Sequence, residues 1–175
     1  MRLSLSACAV ALILACGTAQ AQDRTLTVTC AEAGALSVSV PADWTVEESR
    51  HDVRMPPTVT MTAPDGQVQW VVTALWKAAD RKPPETLAEI RARVERTAET
   101  VGAAGAALRE LPAGQPAGYY FDIGSDITPA PFTRLRQGML RIGALTVSFT
   151  AMSAPGHDAD LDAAVTRLGS ARHLP

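Results

Sequence analysis

Apolar and polar residues alternate over much of this chain. In "TLTVTC" Leu26, Val28 and Cys30 fall on one side of an extended strand, with Thr25, Thr27 and Thr29 on the other. After "AEAG", a turn ending at Gly34, "ALSVSV" repeats the pattern with Leu36, Val38 and Val40 inward, and Pro41 ends it. "PADWTVEE" predicts a turn into a short strand from Trp44 to Glu48, and the proline-broken "SRHDVRMPP" a loop. In "TVTMTAPDGQVQWVVTALW" two strand-like runs flank Pro64-Asp65-Gly66, a hairpin pattern in which the glycine takes a positive φ. From Trp70 to Leu75 both faces are apolar, which predicts a central strand covered on both sides.

The period then changes. Pro83-Pro84 opens a helix, or Thr86 and Glu89 form its capping box. Leu87, Ile90, Val94, Ala98 and Val101 make one apolar stripe at helical spacing. Glu89, Arg91, Arg93, Glu95, Arg96 and Glu99 make a solvated face, with Glu89 and Arg93 in the favourable order four apart, and Gly102 and Gly105 end the helix. "ALRELPAGQPAGYYFDIGS" reads as a strand, a turn and a second strand from Ala117 to Ile123. "FTRLRQGML" and "ALTVSFTAM" are strands joined near Gly143, with Gly138 marking a bulge. A last helix follows, with Asp158 and Asp160 at its start, Arg167, Arg172 and His173 toward its end, and Leu161, Ala164, Val165 and Leu168 as its buried stripe. The predicted class is α+β, a mostly antiparallel sheet covered by helices, in a single domain spanning 22–175.

The first 21 residues read differently. Arg2 precedes an apolar run from Leu3 to Ala15, the layout of a secretory signal. The run is shorter than the roughly 20 residues a spanning helix needs. Ala19-Gln20-Ala21 suits a signal peptidase, and cleavage there leaves Gln22 first. The rival is Ile13-Leu14-Ala15-Cys16, which resembles a lipobox and would tether the same domain through a lipidated Cys16. The expected location is therefore the periplasm or the exterior, with lipid anchoring to the bacterial membrane as the alternative, and no transmembrane helix in the mature chain.

Composition narrows the partners. The chain carries 16 basic and 18 acidic residues, a net charge of −2, so nothing draws it generally to nucleic acid or anionic lipid. Of its three cysteines, release leaves Cys30, which the alternation places on a core face as a small hydrophobe. A cysteine-linked dimer is the other use of such a thiol.

The order of elements and the short motifs at their joints resemble a known family. Pro41-x-x-Trp44, Gly114-x-x-Ala117 and the terminal Ser170 carry the likeness to the PsbP-like superfamily, over Leu26 to His173. The resemblance implies an antiparallel sheet sandwiched by helices. It implies no shared active site, since members mostly bind other macromolecules, and this chain shows no catalytic motif to carry over.

Three constellations hold what chemistry there is. "HDADLD" gathers His157, Asp158, Asp160 and Asp162, but Ala163 stands where a calcium loop needs glycine, so the acids read as a helix start. "RLRQGMLR" puts Arg134 and Arg136 on one strand face with Arg141 nearby, a candidate anion site by guanidinium forks, or a sheet face protected by charge. "SRHDVR" holds His51 beside Asp52 without an identifiable nucleophile. The chain lacks the hydrolase elbow, phosphate loop, Cys-x-x-Cys and His-Glu-x-x-His motifs, so no cofactor and no metal site are assigned. The reading is a non-catalytic envelope protein that binds a partner protein or an anionic envelope component through a sheet face and its loops. A tethered lipoprotein and a small envelope hydrolase are its alternatives.

Overall fold

A computed structural model describes residues 22–52, 54–76, 84–112, 115–124 and 128–175. The leader with Cys8 and Cys16, together with Pro83 and Gly114, lies outside the described residues. In chain order the elements are β1 (Asp23–Thr29), β2 (Ala35–Pro41), β3 (Thr45–Ser49), β4 (Thr58–Thr62), β5 (Val68–Leu75), α1 (Leu87–Thr100), β6 (Arg109–Glu110), β7 (Gly118–Ile123), β8 (Arg134–Ile142), β9 (Leu145–Ser153), α2 (Asp158–Gly169) and β10 (Arg172–Leu174). The strands form two sheets. One has the order β1-β2-β10 and the other β3-β4-β5-β9-β8-β7-β6, and every pairing is antiparallel.

The alternation sets which side of the large sheet is dry. Val59 and Met61 of β4, Trp70 and Val72 of β5, Val147 and Phe149 of β9 and Leu140 of β8 share a register and are all buried. Above them lie the inward residues of the small sheet, Val28, Leu36, Val38 and Val40, and the stripe Leu161, Val165 and Leu168 of α2. Burying one such side chain contributes about 1.5–3 kcal/mol, so this layer dominates stability. Cys30 belongs to it and is fully buried. Trp44 packs on Trp70 with ring centroids 4.5 Å apart, and Trp76 lies partly buried against the same cluster.

The opposite side of the large sheet is covered only in part. Ile90, Val94 and Ala98 of α1 pack on Phe121, with Tyr119, Ile123 and Met139 around them. Thr86 caps this helix, since its hydroxyl accepts from the Glu89 N–H while the Glu89 carboxylate accepts from the Thr86 N–H and hydroxyl. The capping box, not the proline pair, therefore opens the helix. Arg93 donates to the buried Glu85 carboxylate, and the exposed (i, i+4) pair of the helix is Arg91 with Glu95.

Three expectations need correction. β5 lies inside the sheet between β4 and β9, yet only Val68, Trp70, Val72 and Ala74 are buried, while Gln69, Val71, Thr73 and Leu75 are half-buried. The reason is that α1 lies chiefly across β7 and β8. Gly138 makes no bulge: β8 pairs with both neighbours in unbroken register from Leu135 to Leu140. A Cβ there would stand 2.4 Å from the Tyr119 carbonyl oxygen and 2.6 Å from Tyr120 Cβ, so the glycine is required by close approach. Arg172 and His173 do not extend the last helix. Ser170 caps it, and the next residues pair with β2 as β10, with Arg172 opposite Ser37 and Leu174 opposite Ala35.

Candidate functional site

The residues singled out on β8 fall into two separate places. Arg134 and Arg136 share the buried side of the sheet, where the register sets Arg136 beside Asp122 of β7. Arg136 grips that carboxylate with a fork, Nε to Oδ1 at 2.6 Å and Nη2 to Oδ2 at 3.2 Å. Its Nη1 donates to Asp162 of α2 at 2.6 Å, and its guanidinium carbon lies 4.8 Å from the centre of the Tyr120 ring. Burial by itself would lower the Arg136 pKa, but its hydrogen bonds to Asp122 and Asp162 outweigh that and hold the guanidinium above its ordinary value. Arg109 Nη1 approaches Asp122 Oδ2 at 3.6 Å, and Arg134 stands 3.5 Å from Asp158.

Two sequence constellations thus turn out to be one. Asp158 and Asp162 of "HDADLD" are the counter-ions of Arg134 and Arg136. The anions that meet these two guanidiniums are side chains of the protein itself. His157 contacts Asp160 at 3.2 Å, and no cluster suited to a metal ion occurs among the described residues.

Arg141 is not brought to this network. It lies five residues along β8, roughly 16 Å away at strand rise, and an odd step puts it on the opposite side. It is exposed and lines a groove with Gln115, Gly143, Gly169, Arg172 and His173. The His173 ring is fixed there: Nε2 donates to the Ala33 carbonyl at 2.7 Å, and Nδ1 accepts from the Ala144 N–H at 3.4 Å. Arg172 and His173 were read as a helix end in the sequence, and no local signal tied them to Arg141.

The remaining candidates are placed as follows. His51 is exposed, and Asp52 turns to Arg54, accepting from its backbone N–H at 2.8 Å with the guanidinium at 3.5 Å. Cys30 is sealed in the core, its thiol 3.4 Å from the Val28 carbonyl oxygen, and burial pushes its pKa up. No helix among the described residues is long and apolar enough to cross a membrane.

Among the described residues, no helix packs over the β4, β5 and β9 part of the opposite side of the large sheet as α1 does over β7 and β8. Thr58, Thr60 and Thr62 of β4, Val71 and Thr73 of β5, and Ser148 and Thr150 of β9 present a half-buried field of small side chains without a charge. The hydroxyls interlock across strands, with Thr58 and Thr73 oxygens 2.9 Å apart and Gln69 Nε2 donating to Thr62 at 3.2 Å. The alternation in "TVTMT" and "TVSFT" contained this field, but which half of the sheet stays open depends on where α1 packs.

No protein-family model matches the chain, and no curated protein does. Among solved structures it is similar to the solution structure of cyanobacterial PsbP (CyanoP) from Synechocystis sp. PCC 6803, at 11% sequence identity and a TM-score of 0.57. The likeness covers 97% of this chain and 99% of that one. With two sheets, one helix on each side and this near-complete overlap, the chain has a PsbP-like α+β fold.

Proposed function

We propose that this is a non-catalytic binding protein of the bacterial envelope, released by cleavage after Ala21, which docks a partner protein on the open half of its large sheet. One observation carries the reading: on the face of β4, β5 and β9 beside α1, Thr58, Thr60, Thr62, Val71, Thr73, Ser148 and Thr150 are uncharged and mostly short hydroxyl side chains. Such a surface offers hydrogen bonds at little side-chain entropy cost, and protein interfaces are no more apolar overall than other surface. None of those residues carries a ring on which a sugar or base would stack, which favours a protein as occupant. The family likeness points the same way, toward macromolecular binding. The ionisable groups support it too, because the buried Arg136 is used up in ion pairs.

The test places a photo-crosslinking residue at Thr60, Thr73 or Thr150, with Arg96 on the outer face of α1 as control, and expresses each in the native host. The expected result is one discrete adduct, identified by mass, from the three sheet positions, absent from Arg96 and lost when Val71→Arg is added. Equal labelling at all four positions, or none at the sheet positions, refutes the docking face. An intact mass beginning at Gln22 supports release, whereas a mass beginning at Cys16 with added acyl chains replaces it by a tethered form.

A further inference from the structure

We infer that the groove between the β8–β9 turn and the C-terminal end of α2 binds a phosphate group, held by Arg141 and Arg172. This site uses none of the residues of the docking face and does not rest on that reading.

The argument begins with charge. Most other arginines are matched to carboxylates, among them Arg50 with Glu48, Arg93 with Glu85, Arg134 with Asp158, Arg136 with Asp122 and Asp162, and Arg167 with Asp23; the exceptions among the described residues are Arg24, which donates to the Trp44 carbonyl, and the exposed Arg96. The groove gathers two unmatched arginines in one place. Its lining holds Arg141, Arg172 and His173 and not one carboxylate, in a chain whose net charge is −2. Two guanidiniums without counter-ions repel each other, and an anion between them removes that cost.

The geometry leaves both free to bind. Arg172 Nη1 donates to the Ser170 and Ala171 carbonyls, just past the end of α2, at 2.6 and 3.0 Å. That anchors the guanidinium through Nη1 and leaves Nε and Nη2 without a partner among the described residues. Arg141 makes no ion pair among the described residues. His173 is a wall and not a ligand, because Ala33 and Ala144 already occupy both ring nitrogens. Gln115 lies directly against Gly169, where an added Cβ would stand 2.4 Å from its Cδ, so the floor is backbone and amide.

The ligand class follows from matching. One fork satisfies a carboxylate, while two guanidiniums match the double charge and spare oxygens of a phosphomonoester. The groove is open to solvent, with a volume of about 530 Å³, which leaves room for an organic substituent beside the phosphate. That phosphate can belong to a soluble monoester or to a lipid headgroup.

The test titrates the released protein with glycerol 3-phosphate by calorimetry, and with phosphatidylcholine vesicles containing phosphatidic acid by co-sedimentation. Arg141→Gln and Arg172→Gln are each expected to weaken binding at least tenfold and together to abolish it, with Arg96→Gln unchanged. Arg141→Lys, which keeps the charge but loses the fork, should fall between, and circular dichroism checks that each variant folds. Saturable binding of glycerol 3-phosphate assigns a soluble ligand, and binding of the vesicles alone assigns a headgroup. Absence of binding in both arms overturns the inference, as does binding that survives the double variant or that acetate matches.

Discussion

The two carboxylates on Arg136 offer a sharp test of how burial governs an ion pair. Asp122 and Asp162 both accept from this guanidinium at 2.6 Å. The Arg136 side chain is 8% exposed, that of Asp122 is 30% exposed and that of Asp162 is 78% exposed. Asp122→Asn breaks the fork and turns a donor toward a buried charge. Removing one partner of a buried pair costs about 3–5 kcal/mol, so with Asp162 still in place the loss here should be about 2–3 kcal/mol. Asp162→Asn leaves the fork intact and removes a contact on the solvent side, for about 0.5–1 kcal/mol. Urea denaturation followed by circular dichroism measures both, and the larger loss should lower Tm by about 5–10 °C in a chain of this size. Near 1 M salt, where the screening length is about 3 Å, the Asp162 effect should shrink while the Asp122 effect persists. Equal losses for the two variants would show that contact distance, not desolvation, sets the energy, and the reasoning would fail.

Other outcomes follow from single sites. Gly138→Ala should cost at least about 2 kcal/mol in the same denaturation assay, because the new Cβ meets the β7 backbone and Tyr120, neither of which can move without disturbing the sheet. The Asp23 pKa is lowered, first by its hydrogen bond from Arg167 and then by that from Ser39. A carboxylate lowered on folding contributes stability that is present above its unfolded value near 3.8 and lost as pH falls through the folded value. Asp23 is largely exposed, so the gain is at most about 1 kcal/mol, and Arg167→Gln should remove it from an acid titration of stability. Cys30 should resist iodoacetamide in the native protein and react promptly in denaturant, since burial raises its pKa and seals it in. Prompt native alkylation would contradict the buried placement.

What could be read in the residue order was local. Strict alternation at Leu36, Val38 and Val40 identifies both the strand and its inward face, because side chains on an extended backbone must point to opposite sides. The stripe Ile90, Val94 and Ala98 identifies its helix for the same kind of reason, and Thr86 with Glu89 marks where it starts. Gly138, seen in sequence only as a break in the pattern, needed the neighbouring strand to explain it. The ion-pair network needed more. Asp122 and Asp162 reach Arg136 from 14 and 26 residues away, on different elements, and nothing in short-range pattern encodes a meeting of that kind. The same holds for the two candidate sites. The hydroxyl field is written into β4, β5 and β9, but only the placement of α1 over β7 and β8 leaves it open. Arg141 and Arg172 share a groove because the chain turns out of α2 and pairs with β2, ending beside the β8–β9 turn. Periodicity is a property of the backbone, so the sequence alone determined the periodic elements and the α+β class, while β10, which has no such pattern, was left to the tertiary pairing. Which charges meet and which face stays uncovered depend on how the layers pack, and only the tertiary structure decided those.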